Sequence, residues 1–163
     1  MAAEGTGAVT SSAGAKAGLP TSELYISSKF ALEGFFESIW YELRAVGVQV
    51  KLIEPGGVDT GFHEVADQRS AAGGGIDAYE QIYRKIAANR DRIIGSGELV
   101  SPEEVADAIF GAASDDTPRL RYVVGKDAEA LVAAVREKPE AEVLGMIASQ
   151  YGLSELAPAQ AGT

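Results

Sequence analysis

Residues 21–57 read TSELYISSKFALEGFFESIWYELRAVGVQVKLIEPGG, and this stretch decides the fold. Thr21 or Ser22 offers a hydroxyl to the free N–H groups of a helix start. The pattern then predicts a helix from Glu23 to Val46, with Gly47 as its stop. At roughly 100° per residue, Tyr25, Lys29, Leu32, Phe36, Ile39 and Leu43 share one face. Phe30, Ala31 and Tyr41 lie on the opposite side, so the helix is expected to bury two faces. Val48-Gln49-Val50-Lys51-Leu52-Ile53 follows at once and reads as a strand, ended by Glu54-Pro55-Gly56-Gly57.

Upstream, Gly7 to Ser12 reads as the tail of a strand and Ala13 to Pro20 as a Gly-containing loop. Strand, helix, strand is a βαβ unit, which implies a right-handed crossover and a parallel sheet. Downstream, Asp59 to Gly75 reads as loop and Ile76 to Asn89 as helix. Ser101-Pro102-Glu103-Glu104 is a capping box opening a helix over Pro102–Ala113. Arg119–Val124 reads as a short strand stopped by Gly125. Helical stretches near Ala128–Glu137 and Glu140–Tyr151 close a single α/β domain over residues 1–155, with 156–163 as a tail.

Composition narrows the function. The net charge of −10 and the lack of a Lys/Arg run argue against nucleic acid. No apolar run approaches a membrane span, and the first twelve residues lack the pattern of a secretory signal, so no membrane partner is expected. There is no cysteine, which fits a cytoplasmic protein. With His63 as the sole histidine and no spaced carboxylate cluster, no metal site is expected. Thr10 stands where a G-x-S-x-G nucleophile elbow would need glycine, which sets a hydrolase aside.

Tyr25 and Lys29 are the residues with chemistry to offer. A phenol and an ammonium at i and i+4 share a helix face. Each alone is ordinary: an apolar-face Tyr is usually core, and a Lys is usually solvated. Together with Ser12, thirteen residues upstream of Tyr25, they make an ordered set. That set resembles the active site of the short-chain dehydrogenases/reductases. Thr10-Ser11-Ser12-Ala13-Gly14 is similar to the family's Ser-bearing strand end, Tyr25 to Lys29 to its Y-x-x-x-K, Pro55-Gly56-Gly57-Val58-Asp59-Thr60 to its P-G-x-V-x-T turn, and Arg119–Gly125 to its last strand.

The resemblance implies a partial Rossmann-type parallel sheet flanked by helices. It also implies an NAD(P)-dependent oxidoreductase interconverting a small-molecule carbonyl and an alcohol. Ser12, Tyr25 and Lys29 would be catalytic. NAD or NADP would be met by Tyr25, Lys29, Pro55, Gly56, Val58 and Thr60. The physics is consistent: a tyrosine with pKa near ~10 needs a neighbouring cation to work near neutrality, and such a cation lowers it by about 1–3 units. Ser12 would hold the substrate oxygen by a hydrogen bond. Homo-oligomerisation through helix 23–46 is a further implication.

One departure stands out. The sequence has no G-x-x-x-G-x-G or G-x-G-x-x-G; Gly5-Thr6-Gly7 and Gly95-Ser96-Gly97 are near misses. The family's Asn-bearing elements are absent too. The chain is therefore expected to correspond to the C-terminal half of such an enzyme, lacking the N-terminal dinucleotide-binding half. The alternative is a non-catalytic fragment or interaction module on the same scaffold.

Overall fold

The computed structural model describes residues 5–62, 77–96 and 99–154. Two compact units are present, one formed by residues 1–60 and 98–136, the other by 61–97 and 137–163.

The first unit is a three-stranded parallel sheet with helices, in the order β1-β2-β3: β1 is Gly5–Thr10, β2 Val48–Pro55 and β3 Arg121–Val124. Thr10 lies opposite Ile53, and Pro55 opposite Val124, so all three strands end together. Val50 through Pro55 are all buried, as expected for a central parallel strand covered on both faces. Helix α1, Glu23–Ala45, packs on β2 and on a 3-10 turn at Ala13–Lys16. Gly47 ends α1 at φ 84°, which only glycine adopts without strain, and the Gly47 N–H donates to the Arg44 carbonyl at 3.2 Å.

Between β2 and β3 come α2, Asp77–Ser96, and then α3, Pro102–Ala113, which lies against all three strands. The predicted capping box at its start is formed: the Glu104 N–H donates to Ser101 Oγ at 3.1 Å, and the Ser101 N–H to Glu104 Oε2 at 2.8 Å. Helix α4, Lys126–Glu137, follows β3 through Gly125 at φ 104°. The second unit holds α2 and α5, Glu140–Gln150, with Ile86, Val143 and Ile147 buried.

Four expectations need correction. The stretch Ala13–Pro20 is not all loop: Ala13, Gly14 and Ala15 are buried in the 3-10 turn, because small residues can pack beneath α1. Ser22 is the N-cap of α1 without a side-chain cap bond, while Thr21 sits at φ 60° and spends its hydroxyl on the Pro20 carbonyl at 2.7 Å. The third strand begins at Arg121 rather than Arg119. Finally, the buried residues of α1 are Ile26 and Glu33, so its inner face is rotated from the expected stripe by less than one residue step. The predicted loop Asp59–Gly75 lies outside the described residues beyond Phe62, and so does Ile76.

Candidate active site

The named residues gather at the C-terminal end of the sheet. Ser12 follows β1 directly and heads the 3-10 turn, its Oγ accepting from the Gly14 N–H at 3.1 Å. The strand end is anchored by the Ser11 N–H, which donates to the Ile53 carbonyl at 2.7 Å. From α1, Lys29 reaches back and donates from Nζ to the Thr10 carbonyl at 3.1 Å, two residues before Ser12. The same ammonium lies 5.6 Å from the centroid of the Tyr25 ring. A cation over the ring face is held by the ring quadrupole. Burial lowers the Lys29 pKa from its ordinary value. Tyr25 presents part of its ring to solvent at the start of α1.

The turn after β2 is built from backbone. The Gly56 N–H donates to the Val124 carbonyl at 2.9 Å. Val58 forms a parallel bridge with Val100, flanked by Val100 N–H to Gly57 carbonyl at 2.8 Å and Asp59 N–H to Val100 carbonyl at 2.9 Å. The Thr60 N–H donates to the Val58 carbonyl at 2.9 Å.

Sequence reasoning missed Asp127. Its carboxylate accepts from the Gly57 N–H at 2.8 Å. A Cβ on Gly56 would fall 2.1 Å from Asp127 Oδ1, so the Pro-Gly-Gly turn needs its first glycine to admit that carboxylate. The two partners are 70 residues apart, and the only local signal is an acid in the first turn of α4.

It also missed a buried ionic group behind the site. Lys16 Nζ lies 2.9 Å from Glu33 Oε2 and 2.8 Å from Glu54 Oε1. Arg121 Nε lies 2.8 Å from Glu33 Oε2 and 3.2 Å from Glu54 Oε1, while its Nη2 reaches Glu37 Oε2 at 2.6 Å. The Glu54 side chain is 1% exposed. Burial pushes both carboxyls up. For Glu33 the hydrogen bonds of Ser11, Lys16 and Arg121 outweigh it and hold the acid below its ordinary range. For Glu54 burial wins, aided by the Glu33 charge, and its pKa is raised despite Lys16 and Arg121.

A hollow of about 300 Å³ lined by Arg44, Gly47, Gln49 and Pro118 lies at the start of β2, the opposite end of the sheet from Ser12. Among the described residues there is no cluster suited to a metal, and no helix long and apolar enough to cross a membrane.

Residues 1–71 match the family model of the short chain dehydrogenases. The chain is 40% identical over 116 residues to estradiol 17-beta-dehydrogenase 1 of Rattus norvegicus, covering 70% of this chain and 33% of that one. It is 31% identical over 143 residues to an uncharacterized oxidoreductase of Schizosaccharomyces pombe, covering 88% and 58%. A short-chain dehydrogenase structure from Streptomyces avermitilis superposes with a TM-score of 0.59 at 25% identity, over 90% of this chain and 52% of that one. The chain thus spans between a third and three-fifths of the length of these relatives. Over the part it shares with them, the chain belongs to the short-chain dehydrogenase/reductase family.

Proposed function

We propose that the chain carries the proton-transfer half of an NAD(P)-dependent oxidoreductase acting on a small-molecule alcohol or carbonyl. One observation supports this most: the Lys29 ammonium joins the end of β1, which carries Ser12, to the ring of Tyr25. Tyr25 would give or take the proton of the reacting oxygen. Lys29 beside it favours the phenolate, and Ser12 would hold the substrate oxygen. Bound NAD(P) would supply or accept the hydride.

The residues present fit the nicotinamide end of that cofactor in part. Lys29 and Tyr25 stand at an accessible strand end. In the Pro55–Thr60 turn, the N–H groups of Gly56, Gly57, Asp59 and Thr60 are already bonded within the protein. A nicotinamide at Pro55, Gly56, Val58 and Thr60 would therefore be met by carbonyls, side chains and the Val58 N–H, which is not among those donors. For the pyrophosphate the sequence offers no glycine-rich turn. Tight cofactor binding accordingly belongs to a longer protein, or to this chain with a complementary partner. The relative named for estradiol makes an apolar secondary alcohol the first substrate to try. Self-association through α1 belongs to the same reading.

The test is turnover of an apolar ketone with millimolar NADH or NADPH, in the chain and in Tyr25→Phe. Slow turnover that falls about 100-fold or more in the variant is expected. Equal rates in the two proteins would overturn the assignment of Tyr25. Calorimetric titration of the chain alone with either cofactor is expected to show binding weaker than micromolar; tight binding would show that the missing glycine turn is dispensable.

A further inference from the structure

We propose that Lys16, Glu33, Glu54 and Arg121 form a part-buried clamp that positions Ser12 against Tyr25 and Lys29, with Lys16 and Glu33 as its positioning residues. The inference rests on the dehydrogenase reading for what Ser12 and Tyr25 do, but not for the clamp itself.

Three members come from elements that carry part of the site, and Arg121 from the strand whose Val124 carbonyl holds the Gly56 N–H. Lys16 closes the 3-10 turn that Ser12 opens. Glu33 continues the four-residue ladder Tyr25, Lys29, Glu33 along α1. Glu54 immediately precedes Pro55 at the end of β2, and Arg121 opens β3. One lysine thus ties the Ser12 turn both to the Tyr25 helix and to the central strand, through contacts of 2.9 and 2.8 Å. Local bonds such as Gly14 N–H to Ser12 Oγ at 3.1 Å and Ala15 N–H to the Ser12 carbonyl at 3.0 Å hold the turn's own shape. Its angle to α1 is set by what it packs on and is tied to, the buried Ala13, Gly14 and Ala15 on one side and Lys16 on the other.

A plain stabilising role explains the group poorly. Buried ion pairs are seldom more stabilising than apolar residues of the same volume. Here Glu54 Oε2 is buried without a hydrogen bond among the described residues, while Glu54 Oε1 is held by the ion pairs with Lys16 and Arg121. Two cations face two buried carboxyl groups, with exposed Glu37 as a further partner of Arg121. Removing Lys16 leaves Arg121 alone to face both buried acids and releases the turn.

Amide hydrogen exchange on the intact chain tests this, comparing wild type, Lys16→Met and Lys16→Arg. Gly14 and Ala15 report the turn; Leu52, at the centre of the sheet, reports global stability. In Lys16→Met, Gly14 and Ala15 are expected to lose about tenfold more protection than Leu52. Lys16→Arg, which keeps the tether, is expected to restore them. A loss at the turn that only follows Leu52, or no loss, would make Lys16 a stabilising residue and overturn the clamp. Should Lys16→Met fail to fold, Glu33→Leu carries the same comparison, because it nearly keeps volume and removes one end of the tether. No readout depends on turnover. An intact clamp beside an inert Tyr25 would refute the dehydrogenase reading alone.

Discussion

Asp115 and Tyr122 show how one contact sets two titrations. The Tyr122 hydroxyl donates to Asp115 Oδ2, and the Thr117 N–H donates to Asp115 Oδ1 at 2.8 Å. With the Tyr122 bond as the larger cause, the Asp115 carboxyl is held down to about 2. Burial, then the same carboxylate, pushes Tyr122 up to about 12. The signs follow from linkage. The depressed Asp115 contributes stability that is present above its ordinary value of 3.8 and lost as pH falls toward about 2. The raised Tyr122 contributes stability present below its ordinary value of 10.0 and lost as pH rises toward about 12. Tyr122→Phe is expected to return the Asp115 titration most of the way to its ordinary value, as followed by the carboxyl carbon resonance. An Asp115 that still titrates near 2 would show that Thr117 alone holds it. Glu33 and Glu54 act in opposite directions by the same rule. Glu33, lowered, loses stability as pH falls through its folded pKa. Glu54, raised, loses stability as pH rises through its own.

The turn joining β2 to the rest of the site depends on an element far along the chain. Asp127, in the first turn of α4, holds the Gly57 N–H, and Gly56 leaves the room its carboxylate occupies. Alanine at position 56 forces the carboxylate aside and breaks the bond. A hydrogen bond to a charged group is worth about 1.5–3 kcal/mol. Gly56→Ala and Asp127→Ala are each expected to destabilise by about 2 kcal/mol in urea unfolding. Together they should cost less than their sum by about 2 kcal/mol, since the same bond is lost once. Strict additivity would mean that the turn does not lean on Asp127.

Surface left over by the elements bears on the molecule as a whole. Helix α1 leaves Leu24 88%, Tyr41 67%, Phe35 59% and Phe30 45% exposed. Among the described residues β1 is paired on one side only, with β2. Exposed apolar side chains on a helix and an open strand edge each favour association. Sedimentation over a range of concentrations is expected to show self-association that weakens in Phe30→Glu with Tyr41→Glu. A single monomeric species at every concentration would refute it.

What the chain declares on its own concerns neighbours in sequence. The capping box at Ser101–Glu104, the stop at Gly47, the β2 run and the four-residue step from Tyr25 to Lys29 were all legible, because each is decided within a turn or two of backbone. The parallel order of β1 and β2 followed, since a helix of 23 residues between two strands leaves a crossover as the simple solution. The inner face of α1 was not legible. A carboxylate such as Glu33 reads as outward by its own chemistry, and it turns inward only because Lys16 and Arg121 meet it there, the latter from 88 residues away. Asp127 on Gly57 is the same case across 70 residues. Periodicity reports how a segment sorts its own side chains between water and core. Which charges can be buried depends on partners that only the folded chain brings within 3 Å or so of one another.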